Sequence, residues 1–314
     1  MNYLIEWNEE NQKDFGDKNQ ILKHELHKNE IFSDEGIIEL IDNYPQKDLE
    51  IFTMGFNPHG WGEWFLGRRD NLNGAQLLEA VKTGRVWLNL RRTNLSNPKI
   101  AKIAEQIFTE IKEKTGIATF KEDMGLLISP PNAHVYYHAD TPLVMLWQIR
   151  GIKRVYLYPA EEPFISDSQI EAINLRENDE QLKFDKSFED GAFVHDLKPG
   201  EFLTWKQNCP HRIENQDCVN ISFSIEFLTP KSAWRANVIY ANGCLRRYFG
   251  LNPSLKNSPK FLEPFKIIYA RIIKVLGGYK GKKNLPLPSF SINPNKLDEL
   301  IFDQGIKAPQ KNIS

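Results

Sequence analysis

Cysteine is scarce. The 314 residues hold three, Cys209, Cys218 and Cys244, an odd number at wide spacings without CxxC. Neither a disulfide framework nor a zinc ribbon is expected, and the thiols should be reduced and structural. An excess of one charge is lacking as well. With 40 Lys and Arg against 41 Asp and Glu, no global field draws the chain to nucleic acid or to anionic lipid. Long apolar runs are missing: the most apolar stretch, Pro142 to Ile149, is far short of a membrane span. The opening MNYLIEWNEENQKDF has no apolar h-region and no small-residue cleavage site. A cytoplasmic protein with no nucleic-acid or membrane partner is the expectation. What is present, 41% hydrophobic and 26% charged residues, is the balance of an ordinary globular chain able to bury a sizeable core.

Three regions follow from the patterning. Residues 1–118 read as a helix-rich region packing on the core. Polar helix fills the first fifty or so positions, with Ser33-Asp34-Glu35-Gly36 opening an amphipathic segment that Pro45 ends. The segment Phe56 to Gly67, with three glycines and two tryptophans, reads as a structured loop. A helix near Ala75 to Lys82, a strand Arg85 to Leu90 and a helix Pro98 to Thr115 complete the region. Residues 119–230 change to short β-branched and aromatic runs (GLLIS, HVYYH, LVMLWQI, KRVYLYP, EFLTW, VNISFSIEF) broken by Pro, Gly and Asn, the mark of a barrel or sandwich. Ile165 to Glu189 reads as a long insertion or mobile loop. Residues 231–314 read as a C-terminal helical extension, with helices Trp234 to Tyr248 and Phe261 to Leu276 and a last short helix after LPLPSFSINPN. The fold class expected overall is α+β, a mainly β core flanked by helices.

Chemistry concentrates in HVYYHADTPLVMLWQIRGIKRVYLYP. There His138 and Asp140 form an HxD pair, and His211 follows 71 residues beyond Asp140 in PGEFLTWKQNCPHRIEN. Two imidazoles and a carboxylate that leave adjacent positions open are the ligand set of non-haem Fe(II) oxygenases. His134, four residues before His138, would lie about 13 Å from it along a strand, too far to share a metal, and is expected to be structural. His195 is an alternative third ligand, and His59 reads as packing or solvent-facing. Asp140 at the second position, with no acid between Thr141 and Ala160, disfavours the small cupins built on HxH followed by Glu.

These residues, the GIKRVYLYP block and PGEFLTW followed by PHRIEN resemble the JmjC/cupin-like family of Fe(II)- and 2-oxoglutarate-dependent oxygenases, in its asparaginyl-hydroxylase-like branch, over residues 120–230. The resemblance implies a double-stranded β-helix, iron held by His138, Asp140 and His211, and 2-oxoglutarate as cosubstrate. It places Lys153, 13 residues after Asp140, at the distal carboxylate of that cosubstrate, ahead of Arg150 and Arg154. The family's threonine three residues before the first ligand is Val135 here, and its asparagine four residues after the acid is Val144. Cosubstrate contacts must therefore differ, with Tyr136 and Ser224 as candidates. Trp61 and Trp64 are candidates for a substrate-side lid. The prime substrate would be a protein side chain or a small molecule. The apolar side of the C-terminal helices (Ile267, Ile268, Ile272, Val275, Leu276) would pair two copies in a homodimer, while Lys266, Arg271, Lys274, Lys280, Lys282 and Lys283 read as a solvated face in preference to a membrane-surface or nucleic-acid patch. A cupin-like protein that binds a ligand or partner without turnover is the rival reading.

Overall fold

The computed structural model describes residues 2–177, 180–280 and 287–309. Strand β1 (Leu4–Ile5), helix α1 (Glu9–Asp14), strand β2 (Gln20–His24), helix α2 (Asp34–Asp42) and strand β3 (Leu49–Met54) open the chain. Next come β4 (Trp64–Arg68), α3 (Gly74–Thr83), β5 (Trp87–Leu90), the short α4 (Thr93–Ser96) and α5 (Pro98–Thr115). The central strands are β6 (Phe120–Ser129), β7 (His134–His138), β8 (Leu143–Arg150) and β9 (Lys153–Leu157). After α6 (Asp167–Asn174) follow β10 (Phe193–Leu197), β11 (Glu201–Thr204), β12 (His211–Asn215) and β13 (Asn220–Leu228). The tail holds α7 (Pro230–Phe249), α8 (Glu263–Val275), β14 (Pro288–Ile292) and β15 (Leu300–Phe302).

Helix ends follow local chemistry. Asn97 caps α5 by accepting from Lys99 and Ile100, Pro98 starts it without a donor to lose, and Gly116 ends it in the left-handed conformation at φ 69°. Thr229 and Ser232 form a capping box at the start of α7.

Of the eight strands β6 to β13, four lie in each of two sheets. β11-β8-β13-β6 are consecutive in the larger sheet, and β10-β9-β12-β7 make the smaller one. Every core pairing is antiparallel, so the chain winds as a double-stranded β-helix whose two inner faces enclose a cavity. β8 is buried along seven of its eight residues. Its outer-face Met145, Trp147 and Ile149 belong to the main apolar core, to which α2, α3 and α5 also contribute, and its Val144 and Leu146 line the cavity.

Several expectations need correction. The first fifty residues are not simply helical: β2 pairs with β11 and extends the large sheet, and β3 lies between β4 and β5. Polar β2 (QILKH) carries no helix or strand period of its own, and its partner supplies the pairing. The glycine-rich segment ends as strand β4, in which Gly67 is required because a Cβ there would lie 2.5 Å from the ring of Phe290. Among the described residues the last short helix is absent. The proline-rich tail instead forms β14, parallel to β4, and the hairpin partner β15. The 165–189 segment is no bare loop: it holds α6 and a 3₁₀ turn at Lys186–Gly191, with Phe164, Phe184 and Phe188 packed on Tyr137 and Tyr158. Lys282 and Lys283 lie outside the described residues.

Candidate metal centre

His138 ends β7 and His211 begins β12, where the two are direct cross-strand partners. Their ring centroids are 4.0 Å apart. Asp140 follows two residues after β7, with Oδ2 3.4 Å from His211 Nε2. Among the described residues, these three form the group of His, Cys and acidic side chains placed to hold one ion, with ligand atoms all within 4.8 Å of one another. The nearby chain fixes their aim. His138 Nδ1 lies 2.7 Å from the carbonyl of Tyr136, and His211 Nδ1 lies 3.0 Å from that of Cys209. A carbonyl only accepts, so each Nδ1 carries the proton and each Nε2 presents a lone pair. Asn208 donates to the carbonyl of Asp140 at 3.1 Å and steadies the turn.

Electrostatics point the same way. Burial, then the neighbouring His138, holds His211 well below the ordinary imidazole range, so its ring is neutral. Burial pushes the Asp140 carboxyl up to about 7. A neutral imidazole at His211 beside a carboxylate that is costly to ionise without a counter-charge is what a divalent cation requires and relieves. The residues present fit a resident Fe(II).

The ligands line one end of a cavity of about 200 Å³. Lys153 lines it too, at the start of β9. It is 2% exposed and donates to Ser222 Oγ at 2.8 Å, and burial alone draws its pKa down to about 7. Among the described residues the other Lys or Arg on the lining is Arg91, which pairs with Glu50. Arg150 and Arg154 are engaged elsewhere, by Asp34 and Asp196. Next to Lys153 on β12, Asn215 donates to Ser129 Oγ at 2.9 Å.

Tyr136, Ser224 and Trp64 also line the cavity. The Tyr136 hydroxyl sits against the 55–63 loop, 3.5 Å from the carbonyl of Glu63. Trp61 is 62% exposed and not part of the lining. His195 is bound to Glu201 at 3.0 Å, and His59 stacks on Phe184 and faces Glu189. His134 is buried beside Tyr136, and burial holds its pKa near 4. The sequence reading missed Ser129 and Asn215 around Lys153. It also missed Asp123, Glu226 and Glu180 at the metal end. Burial, with Asp140, Glu180 and Asp123 adding repulsion, raises the Glu226 carboxyl to about 8. The signal available was period-2 alternation along β6 and β13, where 123, 125, 127 and 129 share one face.

Cavity, topology and ligand geometry together define a double-stranded β-helix with a His-Asp-His centre. No family model matches the chain, and no curated protein matches it in sequence. Solved structures do match. The X-ray structure of ycfD from E. coli is 17% identical at a TM-score of 0.50, the match covering 95% of this chain and 79% of that one. A crystal structure of the E. coli ribosomal oxygenase YcfD is 16% identical, with a TM-score of 0.47 and coverage of 88% and 68%. YcfD in complex with cobalt and 2-oxoglutarate is 17% identical, with a TM-score of 0.48 and coverage of 87% and 68%. The likeness is one of fold, and it agrees with the α+β architecture and β-helix core expected from the sequence.

Proposed function

We propose that the chain is an Fe(II)- and 2-oxoglutarate-dependent oxygenase that hydroxylates a C–H bond of a protein side chain or a small molecule. One observation carries this reading. A buried lysine that has no acidic partner among the described residues lies on the same cavity as three convergent metal ligands. A buried ammonium needs an anion, and a dicarboxylate whose keto-acid end meets the metal would present its other carboxylate to Lys153.

When bound, the iron couples decarboxylation of 2-oxoglutarate to succinate and CO₂ with insertion of one atom of O₂ into the substrate C–H bond. The protein's share is positional. His138, Asp140 and His211 would hold the ion at the cavity wall. Lys153, held by Ser222, orients the cosubstrate, with Ser129 and Asn215 beside it. Leu127, Val144, Leu146, Ile213 and Trp205 wall the space between and exclude water. Asp123, Glu226 and Glu180 line the same cavity near Asp140.

Two measurements on the purified chain test the proposal: calorimetric binding of 2-oxoglutarate to Mn(II)-loaded protein, and succinate formation with Fe(II) and O₂. Binding together with slow uncoupled succinate release is expected. Failure of the loaded protein to bind 2-oxoglutarate overturns the proposal. Binding without succinate under any condition would favour the non-catalytic, ligand-binding reading.

A further inference from the structure

The C-terminal helices present an apolar face that the β core leaves uncovered. Helix α8 buries Lys266, Ile267 and Ala270. Phe261, in the turn before it, and Phe265, Ile268, Ile272, Val275 and Leu276 are all exposed, by 67% at Phe265 and 85% at Val275. Their successive spacings of four, three, four, three and one residues set all six on a single stripe. Of the twenty large hydrophobic residues exposed among those described, twelve fall between Trp234 and Leu287.

Charge on this stretch is as one-sided as the whole chain is balanced. From Ser254 to Lys283 the sequence has eight Lys and Arg against one acid, Glu263. Glu263 is occupied by the indole N–H of Trp234 at 2.6 Å. Lys260, Arg271 and Lys280 are exposed. Among the described residues, the one ion pair of the stretch joins Lys256 to Glu161. Lys274 lies over the Tyr240 ring at 4.5 Å.

We infer that α8 is an in-plane anchor that docks the protein on an anionic phospholipid bilayer. An apolar stripe beside the exposed Lys260, Arg271 and Lys280, which form no ion pair among the described residues, matches such a surface on both counts. The Phe and Ile side chains enter the acyl boundary, and the Lys and Arg heads meet lipid phosphates. A second copy, the occupant expected from the sequence, would bring two strongly basic rims together. A nucleic acid would use the cations and leave the phenylalanines in water. Among the described residues no helix is long and apolar enough to cross a membrane, so the helix lies on the surface. The inference is independent of the metal site.

Sedimentation of the intact chain with vesicles is the test. Binding is expected to phosphatidylcholine vesicles containing phosphatidylglycerol and not to phosphatidylcholine alone, and high salt should release it. The pair Phe265→Ser and Ile272→Ser, and separately Arg271→Glu, should each weaken the partition by about tenfold or more. All three positions are solvent-facing, so unchanged thermal melts and Mn(II) binding show that the variants are folded. No binding to the anionic vesicles, or equal binding to both kinds, overturns the inference. So does a dimer in light scattering that Ile272→Ser dissociates while vesicles fail to bind, because a second copy would then cover the face.

Discussion

Lys153→Met removes the ammonium on which the cosubstrate reading rests and keeps most of the side chain's length. In the ligand-free protein the ammonium has Ser222 Oγ at 2.8 Å, and burial draws its pKa from 10.5 to about 7. The unfolded lysine titrates near its ordinary value, so between about pH 7 and 10 the unfolded state binds more protons than the folded one. Stability must therefore rise with pH across that window, and the wild type bears a penalty at pH 7 on the order of 4 kcal/mol at most. The methionine variant lacks this contribution. Its stability should rise less between about pH 7 and 9, and near neutrality it should be the more stable protein. Cosubstrate binding moves the other way. Losing charge-assisted bonds to a carboxylate costs about 1.5–3 kcal/mol, a rise of roughly 10- to 150-fold in Kd. The bound dianion favours the ammonium, so wild-type affinity should be greatest below about pH 7 and fall by up to about tenfold per pH unit above it, while the variant's profile stays flat. Calorimetric titration of 2-oxoglutarate into Mn(II)-loaded protein at several pH values reads both quantities. The same Kd and pH slope in wild type and Lys153→Met would show that the carboxylate is anchored elsewhere.

His138→Ala, Asp140→Ala and His211→Ala should each weaken Mn(II) binding by at least about 100-fold in electron paramagnetic resonance titrations, whereas His195→Ala, whose ring is bound to Glu201, should leave it unchanged. Full occupancy in all three ligand variants would dismiss the centre. Because the Asp140 carboxyl is raised to about 7 and must ionise to ligate, Mn(II) affinity should also drop as pH falls below that value; constant affinity down to about pH 5 would contradict the assignment. Tyr136→Phe should change the 2-oxoglutarate Kd by less than about threefold, since its hydroxyl sits against Glu63; a larger loss would place that hydroxyl on the cosubstrate. Arg212 is buried and joins Glu189, Glu214 and Tyr158, so Arg212→Met should cost about 2–4 kcal/mol in urea unfolding, and a neutral result would mean that the segment ending in the 3₁₀ turn is held by its aromatic packing alone.

What could be read from the chain depended on how local the controlling forces are. The helix expected over 98–115 is α5 with the same ends, because Asn97, Pro98 and Gly116 act within one turn of the residues they terminate. The central strands were legible for a similar reason: buried on one or both faces, they show as β-branched and aromatic runs. β2, β4 and β14 were not. Each is short and owes its state to a partner far along the chain, as Gly67 of β4 does to the Phe290 ring of β14, and a five-residue window holds no trace of that partner. The centre divides in the same way. His138 and Asp140 share a turn and His211 follows a proline, so the ligand motif survives in one dimension. Ser129, Asn215 and Glu226 are polar residues on separate strands, which in sequence look like any solvent-facing side of a sheet. Only closure of the two sheets over the cavity decides which face is inside, and that closure is a property of eight strands at once. It turns Lys153 from an ordinary strand lysine into a buried ammonium that needs an anion, so the strongest clue to the cosubstrate is a consequence of topology and not of the motif that contains it.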